Sequence, residues 1–486
     1  MLFSSLFAKT AEYEKLAHAL SAPGACALFG LPGSGRAMVY AALAKETGRF
    51  LCIVTPGEAE ATRFAGDLNA LGIPTAVFPA RDYVLRPIEG TAREYEYRRL
   101  SVLGDIVGGR LQAVCVPDEG LTQYTTPRAE FCANTRTLHP GDTVPRTELT
   151  ALLYNAGYAR RAQVDGPGQF SIRGDIVDLY APDMKLPVRM EFWGDEIDTM
   201  HTFDLATQRR EDPIEKIYVS PAREVLFGSP AEAAELLRAF IKKFRGKKRT
   251  ALEACLATEL AQLDGGALPV NMDKYLAVRY PQPATLLDYF DDPLLVLEEP
   301  ASLREAERAT TYRRGEEISA LLQDGVLAAG LDNLYAENGY LWAQAANHRT
   351  ICAENFARSM PDIPLKDIVN APAHTLPAWG GEVTSLLEDL QPLCNGGAAV
   401  TVLAGTQRAA AGLAADLRTK GLLVTTDPDA APGAGLVQVL PGQLSAGCSV
   451  PFAKYALFTA RAFGISSTQK KKKRNKDALN SLSEIA

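Results

Sequence analysis

Over the first quarter of the chain, short apolar runs alternate with stretches whose apolar residues recur at helical spacing. Residues 26–29, 50–55 and 75–78 read as buried strands, and residues 37–45 and 58–71 as the helices between them. That rhythm predicts a parallel sheet with helices on its faces, because each connecting helix must bury its apolar stripe against the sheet. A charged helix over 92–107 leads into a further strand at 112–116.

Between about 126 and 211 the texture changes to short strands and turns punctuated by Gly166, Gly168, Gly174 and Gly194, with no long helix after Tyr154. This reads as a β-rich domain inserted into a parent, since helical texture returns at 230–244 and 248–263 and an apolar strand follows at 294–297. Residues 302–322 form a charged helix, and a last α/β unit shows a strand at 399–404, a helix at 407–420 and a strand at 422–425. The expected division is 1–125 and 212–324 for the two parts of the parent domain, 126–211 for the insertion, 325–465 for a third domain and 466–486 for a basic linker. No repeat of fixed period is visible.

At 486 residues the chain exceeds one ordinary core, and 47% hydrophobic with 22% charged residues is the composition of a globular protein. The formal charge of −7 excludes a broad positive surface of the kind that phosphate-dominated DNA binding needs. Basic residues cluster mainly at the tail, in the run 470–474 with Lys476. Eight cysteines without a CxxC pair read as core thiols of a reducing compartment, and five scattered histidines give no metal-ligand spacing. The opening residues lack the apolar core of a signal peptide, and no run approaches the ~20 apolar residues of a membrane span. A cytoplasmic protein with no membrane contact and no metal site is expected.

The segment from Gly30 to Ala37, Gly-Leu-Pro-Gly-Ser-Gly-Arg-Ala, stands between a strand and a helix, where a phosphate-binding loop belongs. Gly30, Gly33 and Gly35 fit the loop. Arg36 stands where a lysine should reach the phosphates, and Ala37 where a hydroxyl should ligate Mg²⁺. The second nucleotide motif should be an apolar strand ending in Asp-Glu; residues 294–297 end instead in Glu298-Glu299-Pro300. A glycine turn and an acidic helix start are the plainer readings of the two. Taken together, they describe a relic site that hydrolyses no ATP and requires no cofactor, so no catalytic residue is expected.

In the segment 168–208, strand alternation places Val188, Met190 and Phe192 on one face and Arg189, Glu191 and Trp193 on the other. The first set is core; the second leaves an arginine and a tryptophan on an outer face. Arg173 lies opposite Ile172, just before the bend at Gly174. Arginine and tryptophan are the residues most enriched at binding hot spots, while a solvated strand carrying a cation–π pair is an equal reading from spacing alone.

Residues 168–178, followed by 189–192, 194–197, 203–204 and 207–209, resemble the UvrA-binding domain shared by the excision-repair protein UvrB and the bacterial transcription-repair coupling factors (Mfd). Residues 285–290 extend the likeness, and Ser445, Pro451, Lys454, Phe463 and Gly464 are similar to the third domain of the coupling factors. The resemblance spans roughly residues 20–465. UvrB is set apart by an intact phosphate loop, a long tyrosine-rich hairpin where only residues 82–91 stand here, and a full second motor half. The resemblance implies a degenerate P-loop, helicase-like α/β domain with an inserted β-rich UvrA-binding domain and a second small α/β domain. It also implies that UvrA is the partner, contacted by Arg173, Arg189 and Trp193, the last usually phenylalanine in the family. RNA polymerase and double-stranded DNA would be partners of further parts of a longer protein, which would mask the UvrA-binding face; this chain, as a fragment, would bind constitutively. The rival expectations are an active DNA-dependent ATPase or helicase, and a damaged-DNA-binding module.

Overall fold

The computed structural model describes residues 2–86, 93–360 and 363–460. The expected basic linker at 466–486, the basic run at 470–476, Phe463, Gly464 and residues 87–91 lie outside them. The chain divides into two compact units, the first running from Phe3 to His374 and the second taking in Thr375 onward.

The first unit is built on a seven-stranded parallel sheet. Its order is Leu365–Asn370, Gly24–Phe29, Arg349–Glu354, Leu294–Glu298, Leu51–Thr55, Ala113–Pro117 and Thr75–Val77. The strands Gly24–Phe29, Leu51–Thr55 and Leu294–Glu298 are buried along their whole length, as expected where helices cover both faces of the sheet. The helices Gly33–Thr47, Glu58–Ala70 and Glu94–Val107 fall where the periodicity placed them.

The expected start of a third domain at 325 is corrected by the sheet itself. Arg349–Glu354 lies between Gly24–Phe29 and Leu294–Glu298, and Leu365–Asn370 forms an edge of the same sheet. Both strands join partners hundreds of residues earlier, a pairing that local composition does not encode. The second unit has its own six-stranded sheet, in which Ala399–Leu403, Leu436–Leu440, Tyr455–Thr459 and Leu423–Thr425 pair in parallel. The helix Gln407–Thr419 packs on it through Ala410, Leu413, Ala414 and Leu417.

Within the first unit, residues 159–213 form a six-stranded sheet ordered Arg210–Pro213, Glu196–Phe203, Val188–Trp193, Ile176–Tyr180, Gln169–Arg173 and Ala159–Arg160. All pairs are antiparallel except the last. Phe170, Val177, Leu179, Val188, Met190 and Phe192 point to one face, where Leu149 and Leu153 of the helix Arg146–Asn155 complete the core. Only one face is covered this way, so the other is free to carry polar side chains. Entry and exit meet in an antiparallel pair, Arg136–Leu138 with Ile217–Val219. The closing strand therefore lies beyond the expected end of the insertion at 211.

A buried ion-pair cluster fixes this region to its parent. Arg99, fully buried, donates to Glu224 at 2.7 Å, and Arg81 pairs with Glu224 at 3.2 Å and with Asp273 at 2.7 Å. A buried charge left without its partner costs about 3–5 kcal/mol, which makes this junction unforgiving of substitution.

Candidate functional site

Two places carry the functional residues expected from the sequence. At the segment Gly30 to Ala37, expected to be a relic phosphate loop, the strand Gly24–Phe29 runs into the helix Gly33–Thr47 through a turn at Gly30, whose φ is +91°. A Cβ there would stand 3.1 Å from the Ala371 carbonyl oxygen, so both backbone conformation and space demand glycine. The exposed Arg63 guanidinium lies where a side chain on Gly33 would extend, and Ala37 is fully buried with no hydroxyl to offer a metal.

Arg36 points inward and is only 3% exposed. Its Nη1 donates to Glu298 at 2.5 Å and to the Ala353 carbonyl at 3.2 Å, while its Nη2 donates to Glu299 at 2.7 Å and to Asn355 at 3.1 Å. Glu298 accepts a further 2.5 Å hydrogen bond from the Tyr40 hydroxyl. Glu299 adopts a left-handed conformation, with φ of +51°, where the strand turns into the helix Pro300–Gln323. Burial pushes the Glu298 carboxyl up from the ordinary carboxylate range against the opposing pull of Arg36 and Tyr40. Burial disfavours the Arg36 cation, yet Glu298 and Glu299 together raise its pKa above the usual value. The two altered nucleotide motifs thus meet each other: the cation of one is neutralised by the carboxylates of the other. Tyr40 and Asn355, which complete the network, were not singled out in the sequence; Tyr40 lies one helical turn after Arg36, on the same face.

The second place is the free face of the antiparallel sheet. Cross-strand register puts Ser171, Asp178, Arg189 and His201 in one row, and Arg173, Ile176, Glu191 and Thr199 in the next. Trp193 stands one step further, paired with Glu196 across the hairpin bend at Gly194. Asp178 is fully buried and binds both arginines: Arg173 at 2.6 Å, and Arg189 through Nε at 2.7 Å and Nη2 at 3.0 Å. Those hydrogen bonds, donated to Asp178, raise the Arg189 pKa. Arg189 also reaches the Gln208 carbonyl at 3.2 Å and lies over the Phe203 ring at 4.7 Å. Gln208 has a φ of +58°, so Arg189 secures a turn that its backbone would not favour alone.

Of the three expected contact residues, Arg189 is therefore mostly enclosed, Arg173 is half exposed and Trp193 is 84% exposed. The cation–π partner of Arg189 is Phe203 rather than Trp193. Asp178 was missed as a functional residue, although its signal was present: a carboxylate at the centre of the apolar strand Ile-Val-Asp-Leu-Tyr needs a cationic neighbour, and alternation supplies Arg189 directly across.

This sheet lies within the range of one family match. Residues 137–225 match the UvrB interaction domain. Most of the chain is also similar to transcription-repair-coupling factors, in their N-terminal part. That of Bacillus subtilis (strain 168) is 26% identical over 474 residues, covering 94% of this chain and 40% of the relative. That of Staphylococcus haemolyticus is 24% identical over 466 residues, covering 93% and 39%. The chain spans about 40% of the length of the curated relatives it matches. The region similar to the UvrB interaction domain lies in a mixed α/β chain whose large sheet is entirely parallel. Among the described residues, no helix is long and apolar enough to cross a membrane.

Proposed function

We propose that this chain is a recruitment module for nucleotide excision repair, binding UvrA through the free face of the UvrB interaction domain and hydrolysing no nucleotide itself. The observation that carries the reading is the contrast on that face: an almost fully exposed indole beside two arginines organised by a buried aspartate. An exposed tryptophan has nothing to gain from water, and burying such an anchor against a partner is worth about 2 kcal/mol or more. The arginines outnumber Asp178 and would meet acidic groups of the partner. Trp193 makes the apolar contact, Arg173 the charged one, and Arg189 holds the Gln208 turn and Asp178 in place.

The relic loop supports the non-catalytic half of the proposal. A nucleotide phosphate would have to displace Glu298 and Glu299 from Arg36, and the position for a metal-ligating hydroxyl holds alanine. In a longer protein of the coupling-factor type, RNA polymerase and duplex DNA would be bound by other parts, and this face would be masked until those parts engage. Calorimetric titration with UvrA, beside a variant with Arg173, Arg189 and Trp193 all changed to alanine, tests the proposal. Binding by the intact chain that vanishes in the folded variant supports it, and no binding by the folded intact chain overturns it.

A further inference from the structure

The turn between the helices Pro230–Lys242 and Gly246–Asp264 concentrates positive charge in a chain whose net charge is −7. Lys242, Lys243, Arg245, Lys247, Lys248 and Arg249 stand within one stretch that contains no acidic residue, and all six are exposed. Arg249 pairs with Glu253 at 2.8 Å, one helical turn on. Among the described residues, Lys242, Arg245, Lys247 and Lys248 have no carboxylate at ion-pair distance.

Helix electrostatics explains only part of this cluster. Lys242 and Lys243 lie at the C-terminal end of their helix, where cations are favoured. Lys247, Lys248 and Arg249 lie in the first turn of the next helix, 19 residues long, which has no acidic residue in that turn and no side-chain cap. There the cations face unpaired N–H groups of the same sign. Stability alone would select against them. The turn is nevertheless held firmly: Ile241 is buried, and the Phe240 and Phe244 rings meet edge to face at 5.1 Å against the bend at Gly330. Its apolar side is committed to the core, and its outer side offers only cations.

We propose that this turn contacts the phosphate backbone of duplex DNA without reading its sequence. Phe240 and Phe244 pack against the core, so no ring stands free for stacking on unpaired bases, and four of the six cations are lysines, point charges that suit phosphates. The remaining chemistry is charge on a fixed base, matched to the densest regular array of negative charge. The contact is separate from the Trp193 face and would let a module held by another partner rest against DNA.

The test is fluorescence anisotropy of a short labelled duplex with the whole chain in which the lysines and arginine at 470–474 and Lys476 are changed to glutamine, so that only the turn is read. Arg245→Gln, Lys247→Gln and Lys248→Gln are then added together. With three phosphate contacts, affinity of the parent falls about 40-fold between ~50 and ~200 mM salt, and the added substitutions lower the slope of log K against log salt by about 3. The same substitutions leave UvrA titration unchanged and do not lower the melting temperature. Equal affinity and slope in the two proteins overturns the proposal. So does turn-dependent binding of a polyglutamate peptide without binding of the duplex, which would make an acidic protein surface the occupant.

Discussion

The Gly30–Ala37 loop and the free face of the interaction sheet are both organised by arginine and carboxylate, yet one arrangement is closed and the other open. At the loop, one buried guanidinium faces two carboxylates and a tyrosine hydroxyl. At the face, two guanidiniums share one buried aspartate, and a tryptophan is left outside. The first arrangement is saturated and closed, so an anionic ligand would meet negative charge. The second leaves Arg173 half exposed and Trp193 almost fully exposed on one face, which is the form of a docking surface. Whether the organised groups are enclosed or exposed separates a structural ion pair from a binding one.

The comparison can be broken most forcefully at Arg36. Arg36→Ala leaves Glu298 buried and unpaired and should destabilise the first unit by about 3–5 kcal/mol, read by chemical denaturation. An effect below about 1 kcal/mol would show that the loop is not the closed structural element described above. Asp178→Ala removes charged hydrogen bonds from both arginines and should cost roughly 1.5–3 kcal/mol of stability together with most of the UvrA affinity. If affinity survives that substitution, the arginines do not need their anchor.

Trp193→Ala should separate the two properties. UvrA affinity is expected to fall about 30-fold, equivalent to about 2 kcal/mol, with stability changed by no more than about 0.5 kcal/mol. The smallest effect is expected from Arg36→Lys combined with Ala37→Thr, which rewrites the loop as an active motif. Fluorescent-nucleotide binding and ATP hydrolysis should both stay at background, because Glu298 and Glu299 still occupy the cation. Hydrolysis appearing in that variant would show that the loop residues alone had silenced the site.

The free face was largely legible in advance, because strand alternation is a two-residue rule that needs no partner to apply. It placed Arg189 and Trp193 outward and Met190 and Phe192 inward, as found. What it could not supply was the division of labour among the contact residues, since that depends on Asp178 and on the Phe203 and Gln208 positions brought in by a neighbouring strand and turn. Arg36 and Ala37 were visible in the sequence, but the partner of Arg36 came from a contact between residues 262 positions apart in the chain. The basic turn at 242–249 was passed over beside the longer run at the tail; that Lys242, Arg245, Lys247 and Lys248 meet no carboxylate among the described residues is a spatial fact.

The sequence by itself determined the local elements, the inward and outward faces of the strand Val188–Trp193 and the altered residues at 36, 37 and 298. These follow from periodicity and spacing, which act over a few residues at a time. Only the tertiary structure decided where the first unit ends, which carboxylates neutralise Arg36, and which of the two arginines on the free face remains open. Sheet membership and ion pairing depend on the distance between groups far apart in the chain, and that distance exists only once the strands have paired.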